Sequence, residues 1–179
     1  GTLKVTLRAV TITVDDKSKI YGQTDPTFTG SITSGSLVAD DDLGTITYSR
    51  TNTAEAVGTY ENVLTANYTG NTNYTVTVVP GTFTITKADT MTVQAYSEEK
   101  VYDGTALVAS GTANVTEGTT YEYSTDGGET WSSDVPSITN VGTITYKVKA
   151  INANYEDAVA EGTLKVTLRA VTITVDDKS

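Results

Sequence analysis

The chain has 179 residues with neither cysteine nor histidine, which excludes disulfides, thiolate and imidazole chemistry and the commonest zinc ligands. Its net charge of −10 opposes binding to nucleic acid or to anionic lipid, because both would repel it. No apolar run approaches the ~18 residues of a membrane span, so no membrane insertion is expected.

Strict alternation of apolar and polar residues predicts strands with one buried and one solvated face, and the 37 threonines and 11 tyrosines also favour β-sheet. In chain order the alternating segments are residues 10–14, 74–78, 83–86 and 144–148. Turn signals lie at Tyr21-Gly22, at Asp25-Pro26 and at Asp103-Gly104, and residues 125–128 predict a hairpin. Six or seven short strands per module predict an all-β fold of two tandem Ig-like antiparallel β-sandwich modules. β-grasp-like modules, with one short helix each, are the alternative.

An internal repeat organises the chain. Residues 1–18 and 162–179 have the same sequence without one substitution, so the period is 161 residues, the offset from Gly1 to Gly162. Within that period, the segment that begins at Gly81 resembles the one that begins at Gly162. Shorter matches recur in the same order, namely Lys19-Ile20-Tyr21-Gly22 with Lys100-Val101-Tyr102-Asp103-Gly104, Val57-Gly58-Thr59 with Val141-Gly142-Thr143, and Asn73-Tyr74 with Asn154-Tyr155. Each period therefore holds two modules that share one fold.

These repeats predict the domain boundaries. Residues 1–7 are the closing strand of a preceding copy, residues 8–88 and 89–169 are the two modules, and residues 170–179 are the opening strand of the next copy. No Gly/Ser-rich or Pro-rich linker separates the modules, so we expect an elongated, semi-rigid array. The two end segments lack the rest of their modules, and we expect them to pair with a neighbouring molecule or to pack loosely.

Ordered motifs also carry a family resemblance. Residues 8–12, Tyr21-Gly22-Gln23-Thr24-Asp25-Pro26, Val57-Gly58-Thr59-Tyr60 and Asn73-Tyr74 resemble the MBG domain of the YGX type, over about residues 8–88. Residues 89–169, with Lys100-Val101-Tyr102-Asp103-Gly104 and residues 126–131, resemble the YDG-type Ig-like repeat.

The resemblance implies a non-enzymatic stalk segment of an adhesin, extracellular and anchored to the cell wall of a Gram-positive bacterium. Its partners would be neighbouring repeat copies in the same chain. A glycan- or mucin-binding repeat that acts by avidity, with host glycans or mucin as partners, is the alternative.

Three kinds of candidate site remain. Asp40, Asp41 and Asp42 could supply oxygen ligands to calcium, the one cofactor considered, although a solvated turn is their expected role. Trp131 is the candidate for stacking on a sugar. An internal isopeptide bond would join Lys19 to Asn73 and Lys100 to Asn154, because a lysine in an early strand and an asparagine in a late strand have the required order. No catalytic residue is predicted.

Overall fold

The computed structural model describes residues 1–175, which divide between Ala88 and Asp89 into two compact units. Within those residues every regular element is a β-strand. None of the described residues forms a helix that is both long and apolar enough to cross a membrane.

The first unit contains two sheets. Its strands are β1 (Arg8–Val14), β2 (Lys17–Ile20), β3 (Gly30–Ser34), β4 (Thr47–Arg50), β5 (Gly58–Asn67), β6 (Tyr74–Val79) and β7 (Gly81–Thr86). One sheet has the order β3-β1-β6 and the other the order β2-β7-β5-β4. The chain crosses from one sheet to the other at five of its six connections, all except that between β4 and β5. Pro80 lies at the crossing between β6 and β7, where its missing N–H interrupts the ladder.

Alternation along the strands builds the core of the first unit. Val10, Ile12 and Val14 of β1 are buried, while the threonines between them are only partly buried. From the other sheet, Phe83 and Ile85 of β7 are buried in the same cluster. Full burial of one such side chain contributes about 1.5–3 kcal/mol, so this cluster holds the two sheets together as a sandwich.

The second unit is built in the same way. Its strands are β8 (Val93–Ala95), β9 (Glu98–Val101), β10 (Leu107–Val108), β11 (Gly111–Ala113), β12 (Thr120–Ser124), β13 (Ser137–Ile138), β14 (Gly142–Asn152) and β15 (Tyr155–Thr167). The main sheet has the order β12-β14-β15-β9, and the short pairs β8-β11 and β10-β13 accompany it. The core lies against the main sheet and contains Tyr146, Val148 and Leu164.

The predicted all-β sandwich is confirmed, and no helix of the β-grasp alternative is found among residues 1–175. The pairing, however, is not purely antiparallel. β1 pairs in parallel with β6, β2 with β7, and β9 with β15. The reason is that strands from the beginning and from the end of each unit run side by side in the same direction, which alternation alone cannot reveal.

The end segments lie outside the sandwiches. Residues 1–7 are not in any strand, and Leu3 and Val5 are almost fully exposed. Residues 168–175 are likewise exposed and outside any strand. The prediction that they form an opening strand extends to residue 179, and residues 176–179 lie outside the described part of the chain. The first six of these exposed N-terminal residues recur at 162–167 as the end of β15, where Leu164 is fully buried.

Candidate functional site

The second strand and the last strand of each unit form a parallel pair. In the first unit Lys17–Ile20 pairs with residues 83–86, and in the second Glu98–Val101 pairs with residues 164–167. We call these two pairs the parallel clamps. Each clamp is the place where the strand that ends the unit is held by a strand from its beginning.

Equivalent hydrogen bonds stabilise the C-terminal end of both clamps. The N–H of Tyr21 donates to the carbonyl of Thr86 at 2.8 Å, and the N–H of Tyr102 donates to Thr167 at 2.9 Å. The hydroxyl of Thr86 also donates to the carbonyl of Lys19, as that of Thr167 does to Lys100, each at 3.3 Å. Each residue of the first clamp is 81 positions before its equivalent in the second clamp, so the repeat preserves these contacts as well as the sequence.

A side-chain hydrogen bond also stabilises the N-terminal end of each clamp. Asp16 Oδ1 accepts from the N–H of Thr82 at 2.6 Å, and Ser97 Oγ accepts from the N–H of Thr163 at 3.0 Å. Asp16 and Ser97 are equivalent in the repeat, although their residue types differ. A comparison of the two modules position by position shows a polar acceptor at both places.

Gly81 allows the start of β7 to lie close to the segment that joins β1 to β2. A Cβ there would lie 2.8 Å from the carbonyl oxygen of Asp15 and 2.9 Å from that of Val14. Both neighbours are backbone atoms of the segment that joins β1 to β2, so neither can swing aside. The close approach therefore requires glycine.

A charged cluster covers the clamp of the first unit. Lys19 is 8% exposed and donates to Asp25 at 2.8 Å and to Glu55. Arg50 Nε lies 3.1 Å from Asp25 Oδ2, and Arg50 also donates to Glu55. The Arg50 guanidinium lies 5.0 Å from the ring centroid of Phe83. The cluster ties two loops, which carry Asp25 and Glu55, to the core strand β7.

The cluster favours the charged forms of Lys19 and Glu55. Donation to Asp25, and then to Glu55, raises the pKa of Lys19 above its ordinary value. Donation from Lys19, and then from Arg50, lowers the pKa of Glu55. The sequence did not predict a role for Arg50 or Glu55, because the order of residues does not show that Glu55 reaches Lys19.

The structure does not bring Lys19 and Asn73 together. Lys19 lies opposite Ile85, whereas Asn73 precedes β6, whose first residue Tyr74 lies opposite Arg8. From Arg8 to Lys19 the chain runs through two successive strands, a separation of roughly 35 Å at ~3.3 Å per residue. The raised pKa of Lys19 also opposes amide formation, which needs a neutral amine.

Lys100 and Asn154 are apart for the same reason. Lys100 lies opposite Val166 and donates to Asp103 at 2.8 Å, which lowers the pKa of Asp103. Asn154 lies in the turn between β14 and β15, next to Tyr155 at the other end of β15. Lysine-before-asparagine order was thus a misleading guide, because it says nothing about position along a strand.

Asp40, Asp41 and Asp42 differ in their contacts and do not share a bonding partner. Asp41 Oδ2 accepts from the hydroxyl of Tyr74 at 2.8 Å, while Asp42 Oδ1 accepts from the N–H of Gly44 at 3.1 Å. Asp40 occupies a turn with φ of 67°. In the described part of the chain, no group of three or more acidic side chains is placed to hold a metal ion. The turn is therefore fastened to the sandwich through Tyr74.

Trp131 belongs to a self-bonded hairpin. Its Nε1 donates to the carbonyl of Gly128 at 3.0 Å, and the Lys149 ammonium lies 4.4 Å from the ring centroid. Asp126 accepts from the hydroxyls of Ser124 and Thr130 and from the N–H of Thr130, which lowers its pKa. One face of the indole is occupied by a cation, so a sugar could stack there only after Lys149 moved.

Residues 10–84 match the model of the MBG domain (YGX type), which confirms that part of the predicted resemblance. No curated protein matches the chain.

The solved structures that match this chain include two sets of modules. "Tandem Ig repeats of Dlar" is 12% identical with a TM-score of 0.35, covering 90% of this chain and 100% of that chain. The fibronectin(III)-like modules of Clostridium thermocellum CbhA are 14% identical with a TM-score of 0.35, covering 93% of this chain and 100% of that chain.

Proposed function

We propose that this chain is a structural stalk repeat of a bacterial cell-surface adhesin, which holds a binding head away from the cell wall. In this proposal the protein is extracellular, is anchored to the wall of a Gram-positive bacterium and has no catalytic role. Its partners are the neighbouring copies of the repeat. The first unit carries the MBG domain, and the second is a YDG-type Ig-like repeat.

One observation carries the proposal. In the first unit the chain enters at Arg8, opposite Tyr74, and leaves at Thr86, opposite Ile20. These two points lie at opposite ends of the strand direction, about 35–40 Å apart at ~3.3 Å per residue. In the second unit the chain likewise leaves at Thr167, opposite the end of β9. A module built in this way adds length each time it is repeated.

Small-angle scattering on a chain of two 161-residue periods tests the proposal, with a single period as the control. Four modules of ~35 Å placed end to end give a length of ~140 Å and a radius of gyration of about 40 Å. A compact particle of the same mass would have a radius of gyration of about 20 Å. A value near the smaller number, or one that hardly rises from one period to two, would reject the stalk.

A cavity beside the hairpin favours a second candidate, weak glycan binding multiplied along the array. The cavity has a volume of about 260 Å³ and is lined by an aromatic ring, several hydroxyls, a carboxylate and a proline, namely Tyr123, Ser124, Thr125, Thr130, Ser132, Asp134, Val135 and Pro136. Aromatic faces beside polar groups suit sugars. Saturable binding to immobilised mucin that Tyr123→Phe weakens and Lys165→Gln leaves unchanged would support this role. Absence of saturable binding would exclude it.

A further inference from the structure

We propose that the parallel clamps are mechanical locks, which resist tension because a pull on the two ends of a module shears the clamp along its length. The inference rests on the proposed stalk function only for the source of the tension. The lock itself follows from the strand pairing within each unit.

The direction of the load follows from the register. In the first unit, β1 and β2 lead into the module, whereas β6 and β7 lead out of it. The parallel pairs run from Arg8 with Tyr74 to Thr13 with Val79, and resume from Lys17 with residue 83 to Ile20 with Thr86. A pull at both ends therefore draws the two parallel strands past each other along their own axes.

Shear loads all the hydrogen bonds of a strand pair together. If the same strands were pulled apart from one end, the bonds would break one at a time, and each break would need little force. The rate of forced unfolding depends on the barrier to the first rupture, and simultaneous loading raises that barrier. The clamp is therefore expected to be strong along the chain axis and weak across it.

The fastenings described above lie at the two ends of this load path. Asp16 holds the N–H of Thr82 where the strands change sheets, and the Thr86 carbonyl and hydroxyl bond to Tyr21 and Lys19 at the exit. The second unit keeps equivalent bonds at Ser97 and Thr167. These bonds join the incoming strand to the outgoing strand, so each of them is loaded when the module is stretched.

The two units differ in how much parallel pairing they contain, although the clamps themselves have the same length. In the first unit the parallel pairing involves β1 with β6 as well as β2 with β7. In the second unit β8 pairs with β11, and the parallel pairing of the described residues is confined to β9 with the end of β15. We therefore expect the first unit to unfold at the higher force.

Single-molecule force spectroscopy on the full chain tests the lock. Because the chain has no cysteine, pairs of introduced cysteines define the pulling points. Leu7→Cys with Lys87→Cys places the load just outside β1 and β7 and shears the first unit. Thr47→Cys with Asn67→Cys uses residues that face each other on β4 and β5 and peels that pair. We expect a several-fold higher unfolding force in the shear geometry, and equal forces would overturn the proposal.

A matched pair of substitutions isolates the fastening. Asp16→Ala removes the bond to Thr82 on the load path, and Asn67→Ala removes the 2.9 Å side-chain bond to Ser49 between β4 and β5. We expect only Asp16→Ala to lower the shear unfolding force, while chemical denaturation shows similar stability for both. Thr86→Val is the second variant if Asp16→Ala does not fold. If Asp16→Ala and Asn67→Ala lowered the shear unfolding force equally, the proposed lock would be contradicted.

The outcomes separate this inference from the stalk. A chain that is extended in scattering but shows equal forces in the two pulling geometries rejects the lock and keeps the stalk. A chain that is compact in scattering but resists shear rejects the stalk and keeps the lock.

Discussion

The duplicated segment provides a stability experiment with its own control. Leu3 and Leu164 occupy the same position in two identical sequences, but Leu3 is 102% exposed and Leu164 is 0% exposed. Leu164→Ala removes buried apolar atoms and leaves a cavity, so it should lower the free energy of unfolding of the second unit by about 3 kcal/mol. For a domain of this size, that loss lowers the melting temperature by roughly 12–20 °C. Leu3→Ala should change neither quantity measurably.

Urea and thermal unfolding followed by tryptophan fluorescence measure this difference. Trp131 is the single tryptophan and lies in the second unit, so its emission reports on the unit that contains Leu164. An unchanged denaturant slope would show that stability, and not the unfolded state, has changed. Equal shifts for both variants, or a loss below about 1 kcal/mol for Leu164→Ala, would refute the assignment of residues 162–167 to the core.

Three further predictions concern the first unit. The pKa of Glu55 is lower in the folded state, so Glu55 contributes stability above its unfolded pKa of ~4.3, and this stability is lost as the pH falls through the folded pKa. Glu55→Gln should therefore make the free energy of unfolding depend less on pH in the acid range. Urea titrations from pH 6 to 2 measure this dependence. Tyr74→Phe removes hydrogen bonds to Val38 and Asp41, and should lower unfolding free energy by about 1–2 kcal/mol and speed hydrogen exchange at the Val38 amide. Gly81→Ala forces a Cβ against backbone oxygens, and should destabilise the first unit by about 1–3 kcal/mol in circular dichroism melts without shifting the Trp131 transition.

Alternation in the sequence was sufficient to predict many of the strands. Residues 10–14 and 83–86 fall within β1 and β7, and residues 144–148 fall within β14. The hairpin at residues 125–128 is also present, because glycine and aspartate favour the tight turn that it needs. These features depend on local backbone preference and on which face of a strand is apolar, and both can be read from neighbouring residues.

Strand partners and the charged cluster could not be predicted in the same way. Alternation shows which side of β1 faces the core, but it does not show that β6 lies beside it in parallel. Glu55 meets both Lys19 of β2 and Arg50 of β4, and no periodic spacing encodes that meeting. The structure likewise does not bring together the lysine and asparagine of the isopeptide hypothesis, because order along the chain does not give position along the sandwich.

Two of the three short sequence matches between the modules have a common location in the structure. Lys19 lies beside Ile85 on one side, and Gly58, from a second matched segment, lies beside Ile85 on the other. In the second unit, Lys100 and Gly142 lie on the two sides of Val166 in the same way.

Segments far apart in the sequence therefore meet at the end of each closing strand. The modules have diverged elsewhere, for instance in the hairpin of Trp131, which has no counterpart in the first unit. Burial alone would not single out this place, because Phe83 and Leu164, elsewhere on the same two strands, are also fully buried. A requirement on the strand that transmits force out of the module would single it out, and this is the strand on which the clamp acts.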